Sequence, residues 1–161
     1  MKAGAIKILL AVAVIILLLK IPITYFDPNN AVEERIADDI SFYGLKKVFI
    51  HYVFHASLEE EAFYRILWAV PFLFVFRKNS LVRNIFYALV VGPPTFYWAF
   101  AHPYPWPYCL LIFVGGLFSD GLILYFSQTD RWQDYLRGIL MPFLMHAEVN
   151  LIIVGWVYLF M

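Results

Sequence analysis

Three consecutive carboxylates and an arginine, Glu59-Glu60-Glu61-Ala62-Phe63-Tyr64-Arg65, interrupt an otherwise apolar stretch. Lys47-Val48-Phe49-Ile50-His51-Tyr52-Val53-Phe54-His55 precedes them, and Ile66-Leu67-Trp68-Ala69-Val70-Pro71-Phe72-Leu73-Phe74-Val75-Phe76 follows. A charge near a bilayer centre costs roughly 2.5–3.5 kcal/mol on insertion scales, so charges at such positions point to function by default. On a helix Glu61 and Arg65 are four residues apart and pair on one face. Glu60 is turned about 100° away, given roughly 3.6 residues per turn. One carboxylate is thus held by an arginine while its neighbour points elsewhere.

The surroundings decide the medium. At 63% hydrophobic and 20% aromatic residues over a length of 161, the chain is too apolar for a soluble domain, which averages about 45–50% apolar. Lys+Arg 12 and Asp+Glu 12 cancel, so no basic surface points to nucleic acid. The single cysteine, Cys109, excludes an intramolecular disulfide and any multi-cysteine metal site. With each span needing about 20 apolar residues, the length suits four or five spans. The expected fold is all-α: one polytopic membrane helix bundle over residues 1–161, with about five transmembrane helices and one interfacial amphipathic helix.

Residues 1–29 read as a first span, from about Ala5 to Tyr25, and a polar turn, Asp27-Pro28-Asn29-Asn30. Its length and the lack of a small-x-small cleavage site favour a retained span over a signal peptide. Residues 30–47 read as a helix on the membrane surface, with Val32, Ile36, Ile40 and Tyr43 at helical spacing among Glu33, Glu34, Asp38 and Asp39. The core, residues 45–160, follows. Its second span carries the carboxylates and ends near Phe76. A basic loop, Arg77-Lys78-Asn79-Ser80 with Arg83, leads to a third span from about Ile85 to Ala101, where Pro93 and Pro94 should kink the helix and free carbonyls. His102-Pro103-Tyr104-Pro105-Trp106-Pro107 reads as a rigid interfacial turn. The fourth span, about Tyr108 to Phe126, contains Gly115, Gly116 and Gly121, which allow close helix contact. After Ser127-Gln128-Thr129-Asp130-Arg131, a last span begins by about Leu136 and runs to Phe160. With five spans, Lys2, Lys7, Arg77, Lys78, Arg83, Arg131 and Arg137 fall on one side, which places the N-terminus in the cytoplasm; Lys46 and Lys47 fall on the other.

Four more polar groups lie in or at the edge of these spans: His102, Asp120, His146 and Asn150. Each has a plain structural reading. His102 suits an interface, His146 and Asn150 share a helix face and suit interhelical packing, and Asp120 beside Ser119 suits a buried, satisfied pair. Together with Glu60 they form a different set. A carboxylate and an imidazole activate water, while a second imidazole and an amide face a developing oxyanion. Such water attack on a peptide carbonyl needs no metal, no cofactor and no covalent intermediate.

Three short patterns sharpen this. Glu60-Glu61-Ala62-Phe63-Tyr64-Arg65 fits EExxxR, Trp98-Ala99-Phe100-Ala101-His102 fits FxxxH with Trp for Phe, and His146-Ala147-Glu148-Val149-Asn150 fits HxxxN. In order and distance, from roughly Leu45 to Val154, the chain resembles the CPBP intramembrane glutamic proteases, the family of type II CAAX prenyl endopeptidases and bacterial Abi proteins. The resemblance implies a multi-pass protein of a prokaryotic cell membrane that cleaves a membrane-anchored protein or peptide near the bilayer. Processing near a C-terminal sorting anchor is one option. By motif position Glu60 is the general base, working on water with His102. Glu61 and Arg65 give structural support, and His146 and Asn150 stabilise the oxyanion. Two departures are Tyr64-Arg65-Ile66, where the family commonly has Phe-Arg-Gly, and Trp98.

Other functions compete. His51, His55 and Glu59 follow one another at i,i+4,i+8 and offer zinc ligands for a metal-dependent protease, although Tyr52 stands where such signatures carry Glu. A non-catalytic scaffold or chaperone of the same fold is the other alternative, as in a γ-secretase subunit that shares the fold without being the protease. A transporter is weaker still, because no inverted repeat is visible.

Overall fold

The computed structural model describes residues 31–76, 78, 80–128 and 131–161, and five isolated upstream positions, Lys7, Leu10, Ala11, Val14 and Ile15, which are helical. The expected first span otherwise lies outside the described residues, as do Arg77, Asn79, Thr129 and Asp130 of the expected loops. The described residues are all-helical, with no strand among them. Helix α1 is Ala31–Tyr43. A long helical stretch follows: α2 (Leu45–Phe49), a π segment (Ile50–Ala56), α3 (Ser57–Glu61), a second π segment (Ala62–Ile66) and α4 (Leu67–Val75). Then come α5 (Leu81–Phe100), α6 (Trp106–Phe126) and α7 (Trp132–Phe160). Two compact units result, one of Glu59–Phe143 and one of the described residues before Glu59 together with Leu144–Met161.

In the latter unit α1 is amphipathic as its spacing requires. Val32 and Ile36 are buried, whereas Tyr43, expected on the same stripe, is exposed. Gly44 explains the departure: its φ of +82° ends the helix after Tyr43, a conformation that carries little penalty only without a Cβ. Its N–H still donates to Ile40 O at 2.9 Å, closing the last turn. Tyr52, in the first π segment, donates its hydroxyl to Asp39 at 2.7 Å and so ties that segment to α1.

The Glu59–Phe143 unit is built on an apolar cluster of Ala69, Leu73, Tyr87, Val91 and Ile123, flanked by Phe72, Val90, Leu124 and Tyr135. Ser80 caps α5, accepting a hydrogen bond from Arg83 N at 3.1 Å, which satisfies one of the unpaired amides of a helix start. The chain stays helical through Pro93 and Pro94. It stops after Phe100, because Pro103 disfavours helical geometry at His102. Pro105 precedes α6 and Pro107 lies in its first turn, where a missing N–H costs nothing. Of the three glycines expected to permit close contact in α6, Gly116 alone does so among the described residues. A Cβ there would come within 2.5 Å of Thr95 Cγ2 and 2.6 Å of Arg65 Nη2, while Gly115 and Gly121 face open space. Thr95 and Arg65 are both fully buried and cannot retreat. Gly116→Ala is therefore expected to cost about 1–3 kcal/mol, read as a lower thermal midpoint in detergent, with Gly121→Ala near native. Equal midpoints would mean that the helices separate without penalty.

Among the described residues two helices, α6 and α7, are long and apolar enough to cross a membrane. Only 33% and 22% of their apolar windows are buried, whereas the core helix of a soluble protein would be mostly buried. Helix α5 has the length, but its prolines, tyrosines and Asn84 lower its hydropathy. The stretch from Leu45 to Val75 is divided by the π segments and carries the charges.

Candidate functional site

The expected Glu61–Arg65 pair forms. Arg65 Nη1 donates to Glu61 Oε1 at 2.7 Å, and the two side chains are 0% and 2% exposed. Asp120 joins them from α6, with its Oδ1 3.5 Å from Arg65 Nε. Its other oxygen accepts from Thr95 Oγ1 at 2.7 Å, and its backbone carbonyl accepts from Tyr87 Oη at 3.0 Å. Asp120 is thus a buried, partnered carboxylate, as its plain reading held, but its partners are Arg65 and Thr95 and not the neighbouring Ser119. The guanidinium lies over the Trp98 ring, 4.3 Å from its centroid, a cation–π geometry strengthened by burial. A charge removed from water needs this many partners to persist.

Glu60 turns away from that cluster. Its Oε2 accepts the indole N–H of Trp98 at 2.6 Å and lies 3.9 Å from His102 Nε2. The carboxylate is 27% exposed and the imidazole 22%, so both are reachable but partly shielded. His102 Nδ1 meets the backbone carbonyl of Trp98 at 2.7 Å. A carbonyl only accepts, so Nδ1 carries the proton and, in the neutral ring, Nε2 presents its lone pair towards Glu60. This carbonyl lies in the last turn of α5, where helix carbonyls accept from groups outside the regular ladder, and the imidazole is one such group. Tyr104 stacks on the His102 ring (5.4 Å, 27°) and Trp98 meets it edge-on (5.4 Å, 88°). The buried Cys109 steadies the turn, its Sγ lying 3.4 Å from Tyr104 O.

His146 and Asn150 lie in the other unit, on α7, both half-buried. Asn150 Nδ2 donates to Tyr52 O at 2.8 Å and to Ser57 Oγ at 3.0 Å. Ser57 Oγ itself donates to Tyr52 O. Both amide hydrogens of Asn150 are therefore engaged in holding the end of the first π segment, where i→i+5 winding displaces carbonyls from regular partners. In this arrangement Asn150 ties α7 to the first π segment. Asn150→Ala removes two hydrogen bonds and is expected to cost about 1–3 kcal/mol. Its thermal midpoint in detergent should fall, and a midpoint equal to native would show that the amide holds nothing.

The rings of His51 and His55 stack at 6.2 Å. Among the described residues no group of three His, Cys, Asp or Glu side chains is gathered as metal ligands would be. The sequence patterns mark Trp98 only as a departure from Phe and do not mark Thr95. The indole N–H was the available signal, since the usual Phe has none. No family model, no curated protein and no solved structure matches the chain.

Proposed function

We propose that the protein is a multi-pass membrane protein and a metal-independent glutamic endopeptidase, which hydrolyses a peptide bond in a membrane-anchored protein or peptide. The observation that carries this is the facing of Glu60 Oε2 and His102 Nε2 across 3.9 Å. That gap is too long for a direct hydrogen bond, and one water fits it by donating a hydrogen to each acceptor. A water so held turns its lone pair outward, towards a carbonyl carbon. Proton transfer to Glu60 accompanies formation of the C–O bond. The tetrahedral oxyanion then collapses, the C–N bond breaks, and the leaving amine takes the proton back. Motif position assigns the oxyanion contact to His146 and Asn150, and Asn150 also holds Tyr52 O and Ser57 Oγ.

Several observations favour a membrane setting. Leu89, Phe96, Phe118 and Leu159 stand 50–70% exposed, and apolar side chains at that density ask for an apolar solvent. In the proposed topology α4 with its preceding turns, α5, α6 and α7 join a first span near the N-terminus, and α1 lies at the interface. The basic loops set the N-terminus in the cytoplasm. The lipid bilayer and a membrane-anchored substrate are the proposed partners.

The test compares membrane-protein termini in cells carrying the native chain or Glu60→Gln at equal abundance. One or a few proteins left uncut only with Glu60→Gln would establish the protease and supply its substrate. Unchanged termini, together with full rescue of a deletion phenotype by Glu60→Gln, would replace it with a non-catalytic scaffold.

A further inference from the structure

We infer that Trp98 is the positioning residue for both halves of the Glu60/His102 pair, holding the carboxylate through its indole N–H and the imidazole through its backbone carbonyl. This deepens the proposed hydrolase function and rests on it. Glutamate has three rotatable side-chain bonds, and at 27% exposure Glu60 is not fixed by packing alone. The indole N–H, donating at 2.6 Å, favours one position for Oε2, the oxygen that faces His102 Nε2. The same residue accepts from His102 Nδ1 at 2.7 Å, which sets both the tautomer and the ring plane.

Trp98 can act so because it is itself fixed. It is 7% exposed, one ring face covers the Arg65 guanidinium, and its Cζ3 lies close against Gly116. The buried ion cluster thereby anchors the plate from which the Glu60/His102 pair is hung. Phenylalanine at this position keeps the ring over Arg65 and the carbonyl for His102, and loses only the N–H. Trp98→Phe therefore isolates the hold on Glu60.

The experiment uses the full chain in detergent, labelled with nitrogen-15 in its indoles. Of the five tryptophans, Trp98 is assigned as the N–H signal that Trp98→Phe removes. A downfield signal that moves upfield in Glu60→Ala is expected, and a signal indifferent to Glu60→Ala overturns the inference even if Trp98→Phe folds poorly. With the membrane protein left uncut by Glu60→Gln as the substrate, Trp98→Phe should lower kcat roughly 10- to 100-fold, the scale of a misplaced reacting group, and leave KM near native. A native kcat in Trp98→Phe, beside an inactive Glu60→Gln, overturns the positioning role alone. Native cleavage by Glu60→Gln, or no uncut protein at all, overturns the hydrolase and this inference with it.

Discussion

Glu60→Gln is expected to accumulate as the native chain does and to cleave at least about 100-fold more slowly, since a general base contributes roughly 10²- to 10⁴-fold. The two side chains have nearly the same shape. The amide oxygen of glutamine can still accept the Trp98 N–H that Oε2 accepts at 2.6 Å, so the local packing has no reason to change. In the proposed mechanism, what is lost is the ability to take a proton from water. His102→Ala should be comparably slow, because the water then loses the acceptor that fixes its second hydrogen. Purified chains, matched for monodispersity and thermal midpoint, would be compared on the substrate found in cells. A Glu60→Gln chain within a few-fold of native would end the mechanism.

Arg65→Ala is expected to act on the fold. Arg65 is fully buried, and it is the cation shared by two buried carboxyls, those of Glu61 and Asp120. Removing it leaves both without their counter-charge, at a cost of roughly 3–5 kcal/mol, a large part of the stability of any domain. It also takes the guanidinium from the face of Trp98. Little monodisperse protein should be recovered. The triple variant Arg65→Met, Glu61→Leu, Asp120→Leu should recover far more, because replacing a whole buried ion cluster by apolar groups is often neutral. Arg65→Ala recovered at native yield and midpoint would show that the cluster contributes little. A triple variant no better than the single one would show that its geometry, and not only its charge balance, is required.

How much of this was legible follows from what each contact depends on. The Glu61–Arg65 bridge is a consequence of helical spacing alone and was visible from the letters. The extents of α6 and α7 were visible too, since apolar runs bounded by prolines and polar turns set them. The separate orientation of Glu60 followed from the same helical geometry. Its partner did not: Trp98 is 38 residues away, and only packing brings the indole to the carboxylate. Asn150 and Tyr52 are 98 apart, and the acceptor is a backbone carbonyl, which side-chain patterns do not mark. Thr95 was hidden for another reason. It belongs to none of the three motifs, and its hydroxyl serves Asp120 from 25 residues away.

The π segment at Ala62–Ile66 has a further consequence. Such a segment behaves as a one-residue insertion into an α-helix, and it sits between the carboxylates and the buried positions Ala69 and Leu73 of α4. Angular phase is therefore not conserved along this stretch. Counting back from Leu73 in steps of an ideal helix assigns the wrong azimuth to every residue before Ala62. Deleting a single residue within the segment would restore ideal winding and leave Glu60 and Glu61 near their present azimuth, because the wide turn already absorbs the roughly 100° that one extra residue adds. Length variation of one residue here is thus taken up as a change of winding, and a chain one residue shorter between the EE pair and α4 would present the same side chains to the same neighbours.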